Sequence, residues 1–189
     1  EQFIEKVCAQ MASYDCGDPR VPGTKVKVGP LISAKHLKEV DDMVQAAIAC
    51  GAKCVLGGGR DTTKEKGFFY QPTVLINCKH EDPIMREEIF GPVLPISTFK
   101  TLDEAIEKAN DSDYGLTSAI FTQNVDVMMR AANELKFGET YVNCAHGEAY
   151  QGFHAGWRKS GLGGADGLHG VEEYLATHTV YISYDMNKQ

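Results

Sequence analysis

The chain has 189 residues, 43% of them hydrophobic and 24% charged, and its 19 Lys and Arg against 26 Asp and Glu give a formal charge of −7. A chain of this length buries roughly 70% of its unfolded surface, enough for one large domain or one domain with an appendage. The composition excludes a wholly disordered chain, the acidic balance argues against a nucleic-acid partner, and no apolar run nears the roughly 18 residues that cross a bilayer.

Phe3, Ile4, Val7 and Met11 stand at helical spacing and predict a helix over residues 1–13. That helix opens without a start of its own, and position 1 is Glu rather than Met. A Gly/Pro loop covers 15–30. Ser33 is a suitable N-cap for a helix whose apolar face is Leu37, Val40, Val44, Ala47 and Ile48, and Gly51 suits the position just past its end. Strands are predicted over 52–56 and 73–77. A third, over 93–99, contains Pro95 and must be an edge or irregular strand.

Thr101-Leu102-Asp103-Glu104 fits a capping box, starting a helix that runs to about residue 110. A strand over 116–122, a helix over 125–135 and a strand over 140–143 follow. Residues 144–167 read as a long Gly-rich loop, 171–176 as a short helix and 179–184 as a final strand. Strands alternating with helices predict an α/β fold with a mostly parallel sheet covered on both faces. The terminal strand, with little chain after it, is expected to pair with another subunit.

Six cysteines (Cys8, Cys16, Cys50, Cys54, Cys78 and Cys144) are too dilute for a disulfide scaffold and form no CxxC pair. They read as inert thiols of a cytoplasmic protein, and no metal site is expected. Glu87, Glu88 and Phe90 lie just before a turn into a strand. A carboxylate there can accept two ribose hydroxyls and an aromatic can cover a planar ring, while the plainer reading is a solvated acidic turn with a core phenylalanine. The glycines of 161–167 fail the dinucleotide template, because Asp166 stands where the third Gly belongs and no strand leads directly in. Glu148 and His154 flank a run containing Tyr150 and Phe153, suited to a small polyol or hydroxy-aldehyde or else merely surface polarity on a mobile loop. Cys144 near His146 raises a third possibility, a thiol hydrolase.

The segment Glu87-Glu88-Ile89-Phe90-Gly91-Pro92-Val93 resembles a signature of the NAD(P)-dependent aldehyde dehydrogenase superfamily. The resemblance extends in order through Gly29-Pro30-Leu31-Ile32, then Gly67 to Thr73, Asn110 to Leu116, Gly138 to Asn143 and Trp157 to Gly163, with Arg158 in a Lys position. The stretch from Gln151 to Gly167, with Phe153-His154-Ala155-Gly156 where most members have P-F-G-G, is most similar to the lactaldehyde/glycolaldehyde branch.

This resemblance implies part of a three-layer α/β/α catalytic domain over 1–170, and a C-terminal helix with an oligomerisation strand over 171–189. It implies a homo-oligomer, dimer or tetramer, using NAD to oxidise a small hydroxy-aldehyde, with no membrane or nucleic-acid partner. By the same carry-over Glu88 binds the nicotinamide ribose and Phe90 lies against the nicotinamide ring. Glu148 and His154 contact substrate, and Asn143 shapes the floor of the site. The family's nucleophilic cysteine, its amide and its general-base glutamate all precede the matching region, so no catalytic residue is expected within the chain. None of the six cysteines corresponds to that thiol. The chain alone is therefore expected to be inactive and to bind NAD weakly. A contrasting reading is a naturally truncated, non-catalytic oligomerisation module.

Overall fold

The spacing of Phe3, Ile4, Val7 and Met11 produces α1 (Gln2–Ala12) in a computed structural model that describes residues 1–184. Backbone packing divides the chain into two compact units, residues 1–100 and residues from 101 onward. In the first unit, α2 (Ala34–Ala49) begins where expected, the Ser33 hydroxyl accepting the His36 backbone N–H at 3.1 Å. Its apolar stripe builds the core. Val40 and Val44 are buried and pack with Ala52, Tyr70, Leu75, Cys78 and Ile84.

That core rests on a sheet of β1 (Lys53–Leu56), β2 (Thr73–Ile76) and β3 (Val93–Ile96), in the order β1-β2-β3. The central strand contributes Thr73, Val74 and Leu75, all wholly buried. β2 and β3 are parallel with Thr73 opposite Val93, whereas β1 runs antiparallel to β2. The reason is the connection. Residues 57–72 contain no helix, and a parallel return needs a long crossover. Pro95 sits on the edge strand β3, where a missing N–H is tolerated. A one-turn helix, α3 (Pro83–Arg86), was not expected from the pattern, although Asp82-Pro83 is a reasonable helix start.

The second unit opens with α4 (Leu102–Asn110), whose Thr101 hydroxyl accepts the Glu104 N–H at 3.2 Å. The Glu104 carboxylate pairs with Lys108 at 2.7 Å. β4 (Thr117–Ile120), α5 (Val125–Glu134) and β5 (Glu139–Val142) then form a βαβ unit, β4 parallel to β5 with Thr117 opposite Glu139. Asn124 caps α5 by accepting the Val127 N–H at 3.1 Å.

The expected loop over 144–167 is corrected in part. It contains an antiparallel pair, β6 (His154–Gly156) and β7 (Gly163–Ala165), with His154 opposite Ala165. Glycine makes this pairing possible, since a Cβ on Gly164 would lie 2.2 Å from the His154 carbonyl oxygen. The last helix among the described residues is α6 (Gly167–Glu172), earlier than the expected 171–176. Residues 179–184 carry no strand, and Tyr181 and Ile182 are 94% and 80% exposed. Strand hydrogen bonds need a neighbouring strand, and this single chain offers that segment none among the described residues. Residues 185–189, the end of the expected terminal segment, lie outside the described residues. Instead of one mostly parallel sheet, the described residues form three small sheets with two parallel and two antiparallel pairings. No described helix is long and apolar enough to cross a membrane.

Candidate functional site

Two places in the chain gather the residues that the sequence singles out. In the first unit, α3 ends at Arg86 and the next residues turn sharply. Ile89 packs against the core, while Phe90 takes a positive φ of 52° and turns outward, 70% exposed. Phe90 is thus not a core phenylalanine. The strained residue is held from α2: His36 Nε2 donates to the Phe90 carbonyl at 2.9 Å, with Glu39 at 3.4 Å from His36 Nδ1. That carbonyl, with Glu39, raises the pKa of the imidazole above its ordinary value. The exposed carboxylates of Glu87 and Glu88 share an open groove of about 620 Å³ with Phe90, His36 and Met43. An uncovered aromatic face beside free carboxylates suits a flat ring joined to a diol.

In the second unit the expected pair Glu148 and His154 does come together, and with a residue that pattern reading passed over. His154 stands at the start of β6 and its Nδ1 lies 3.7 Å from Glu148 Oε1. It lies closer, 3.2 Å, to Oε1 of Glu139, the first residue of β5. Nδ1 is sealed from solvent and makes no hydrogen bond, Glu139 being close but poorly aligned and Glu148 too far, so the attraction is chiefly ionic. The other oxygen of Glu139 accepts the Tyr141 hydroxyl at 2.7 Å. These partners shift one another. The Tyr141 hydroxyl and then His154 hold the Glu139 carboxyl below the usual carboxylate range, and Glu139 pushes Tyr141 up to about 12. Glu139 also raises the His154 pKa above the ordinary histidine value, with Glu148 and Asp166 adding to it. The donor atoms of Glu139, Glu148 and His154 lie within 4.8 Å of one another, a spacing that a proton on His154 explains without a metal.

Strand alternation puts Glu139 and Tyr141 on one face of β5 but does not by itself mark Glu139 as part of a site. Asn143, at φ 56°, has its amide committed to backbone: it accepts the Thr122 N–H and donates to the Thr122 carbonyl, both at 2.8 Å. Cys144 is exposed, and His146 turns its ring edge-on to Tyr141 with centroids 4.8 Å apart.

The segment after His154 is anchored to the loop that precedes β4. Trp157 N–H donates to the Gly115 carbonyl at 3.0 Å, and Gly115 N–H donates to the Ser160 hydroxyl at 2.9 Å. The Arg158 guanidinium donates to the carbonyls of Ser112 and Tyr114 at 2.6 and 3.1 Å. Gly138 completes the anchor, because a Cβ there would lie 1.6 Å from the Ala155 carbonyl oxygen.

Compared with known proteins, residues 1–180 match the model of the aldehyde dehydrogenase family. The chain belongs to the aldehyde dehydrogenase family. It is 50% identical over 182 residues to lactaldehyde dehydrogenase of Escherichia coli K12, covering 96% of this chain and 37% of that protein. To 3,6-anhydro-α-L-galactose dehydrogenase of Streptomyces coelicolor it is 43% identical, covering 97% and 37%. Among solved structures, E. coli lactaldehyde dehydrogenase superposes with a TM-score of 0.90 at 51% identity, over 96% of this chain and 37% of that one. Betaine aldehyde dehydrogenase of Staphylococcus aureus, in complex with NAD+, gives 0.84 at 34% identity over 93% and 35%. The mixed α/β architecture is therefore that of an aldehyde dehydrogenase fold. This member spans little more than a third of the length of the relatives it matches.

Proposed function

We propose that this chain is part of an aldehyde dehydrogenase that oxidises a small hydroxy-aldehyde, lactaldehyde or glycolaldehyde, to the carboxylic acid with NAD(P). The observation that carries the reading is the imidazole of His154 set between the carboxylates of Glu148 and Glu139. A hydroxyl is both donor and acceptor, and an imidazolium beside a carboxylate complements both roles at once. A wholly apolar pocket offers neither. The E. coli relative named for lactaldehyde supports the choice of substrate class.

In this reading His154 donates to the substrate hydroxyl oxygen and Glu148 accepts its proton in a hydrogen bond. The pair orients the aldehyde and leaves its carbonyl to groups elsewhere in the whole protein. Glu88 accepts from the ribose hydroxyls and Phe90 covers one face of the nicotinamide. NAD(P), when bound, would supply the hydride acceptor of the oxidation. Asn143 keeps the end of β5 in place beneath the site. Residues 1–170 serve as a portion of the catalytic domain and 171–189 as a helix and pairing segment of a cytoplasmic homo-oligomer. The exposed apolar side chains of Val180, Tyr181 and Ile182 support that last assignment.

The test is substrate discrimination in the full-length enzyme. In His154→Phe the ratio of kcat/KM for glycolaldehyde over propionaldehyde falls by about a hundredfold, since a site built to bind a hydroxyl discriminates strongly through it. An unchanged ratio refutes the hydroxyl-binding role. The 189-residue chain by itself, given glycolaldehyde and NAD, produces no NADH.

A further inference from the structure

Glu139 is the carboxylate nearest to His154 Nδ1 and bears most directly on its charge. One carboxylate oxygen is 3.2 Å from His154 Nδ1 and the other is held by the Tyr141 hydroxyl at 2.7 Å. The carboxylate therefore cannot swing without losing one of the two. Its side chain is only 16% exposed, against 52% for Glu148, so water screens its field less. A neutral imidazole with its lone pair at Nδ1 would face carboxylate oxygens and be repelled. Nδ1 must carry a proton, which leaves Nε2 as the nitrogen available to a ligand.

We propose that Glu139 is the positioning residue of the hydroxyl-binding site, holding His154 in orientation and in its charged form so that Nε2 is an N–H donor to the substrate hydroxyl. This rests on the hydroxy-aldehyde reading above. Glu148, more exposed and farther from Nδ1, is left free to meet the ligand. The groups facing this pair are Tyr141 on the same strand, His146 and Glu148 on the segment after it, and Asp166 just past β7. Glu139 contributes more than any of these to keeping His154 protonated, and His146 stabilises the Glu139 anion that does so.

The sign of the pH effect follows. Protonated His154 is favoured in the folded site, so hydroxyl binding is complete on the acid side and declines as pH rises through the raised His154 value. Removing the Glu139 charge moves that decline to lower pH.

The decisive variant is Glu139→Gln in the full-length enzyme, with kcat and KM measured across pH for glycolaldehyde and for propionaldehyde. At neutral pH the glycolaldehyde KM rises about tenfold, the loss expected for a charge-assisted hydrogen bond, and kcat changes less. Lowering the pH restores much of that KM by returning the proton, an acid rescue that a merely structural role cannot produce. Glu139→Asp, which keeps the charge, retains the wild-type position of the pH limb. A Glu139→Gln enzyme with an unshifted limb, or with a deficit equal at every pH, overturns the proposal. So does a Glu139→Asp limb displaced as far as that expected for Gln, which decides the matter even where E139Q does not fold. His154→Phe separates the two layers. Full hydroxyl preference in that variant defeats the substrate reading itself, whereas lost preference there with a normal pH limb in E139Q defeats only the role of Glu139.

Discussion

The turn at Glu88–Phe90 and the cluster at Glu139–His154 make surfaces in opposite ways. At the turn the backbone is constrained and the side chains are free: Phe90 is held at φ 52° by His36, yet its ring is 70% exposed. At the cluster the side chains constrain one another, Tyr141 to Glu139 to His154, on backbone that is ordinary strand. In the proposed reading, shape selects a flat ring at the first and charge selects a hydroxyl at the second. Substitutions at the turn should therefore act on binding and leave folding alone, while changes around the cluster act on both.

Gly138→Ala tests the second half of that contrast and has the largest expected effect. With a Cβ placed 1.6 Å from the Ala155 carbonyl, β5 and β6 must separate. Unfolding in urea should show a loss of about 3 kcal/mol or more, at the upper end for overpacking. A loss under about 1 kcal/mol would mean that the two strands adjust independently and that the cluster is not locked by backbone. Phe90→Ala sits on the other side of the comparison. The full-length enzyme should keep its urea midpoint and show a KM for NAD raised about tenfold, as removal of one stacked aromatic implies. A shifted midpoint with unchanged KM would reverse the assignment of that turn. Lys159→Ala should do least. Its bond to Asp113 is 2.6 Å long but both side chains are more than 60% exposed, so the urea midpoint should not move measurably. A clear fall in the midpoint would show that side chains, and not only the backbone bonds of Trp157 and Ser160, anchor the segment after His154.

Much of the local structure was readable before any coordinates. Ser33, Thr101 and Asn124 are residue types that accept backbone N–H groups at helix starts, and Ser33 and Thr101 were identified as caps from the pattern alone. Pro95 points to an edge or irregular strand, and β3 is an edge strand. The hairpin of β6 and β7 was not readable, because Gly156, Gly163 and Gly164 remove the side-chain alternation that reveals a strand. Gly156 and Gly164 are there because a Cβ would lie 2.4 and 2.2 Å from neighbouring backbone, which is a tertiary fact, and Gly163 adopts a φ of 130°. Glu139 escaped for a related reason. Nothing local distinguishes it from any strand carboxylate, and its partner lies 15 positions away by the difference of 154 and 139. The pairing of Glu148 with His154 was anticipated only through family resemblance, since a carboxylate and an imidazole on a glycine-rich segment are ordinarily solvated.

The contact between Gly138 and Ala155 has a consequence for how such a site changes over time. Gly138 immediately precedes Glu139, and Ala155 immediately follows His154. The spacing of the ion pair is thus set one residue away, by a position with no side chain against a carbonyl common to every amino acid. In the proposed reading, selection can retune substrate choice here by shifting two strands a fraction of an ångström, leaving every polar residue in place. Sequence comparisons that track only the acidic and imidazole positions would then miss the drift, and a library aimed at new aldehydes gains reach by varying the neighbours of the pair before the pair itself.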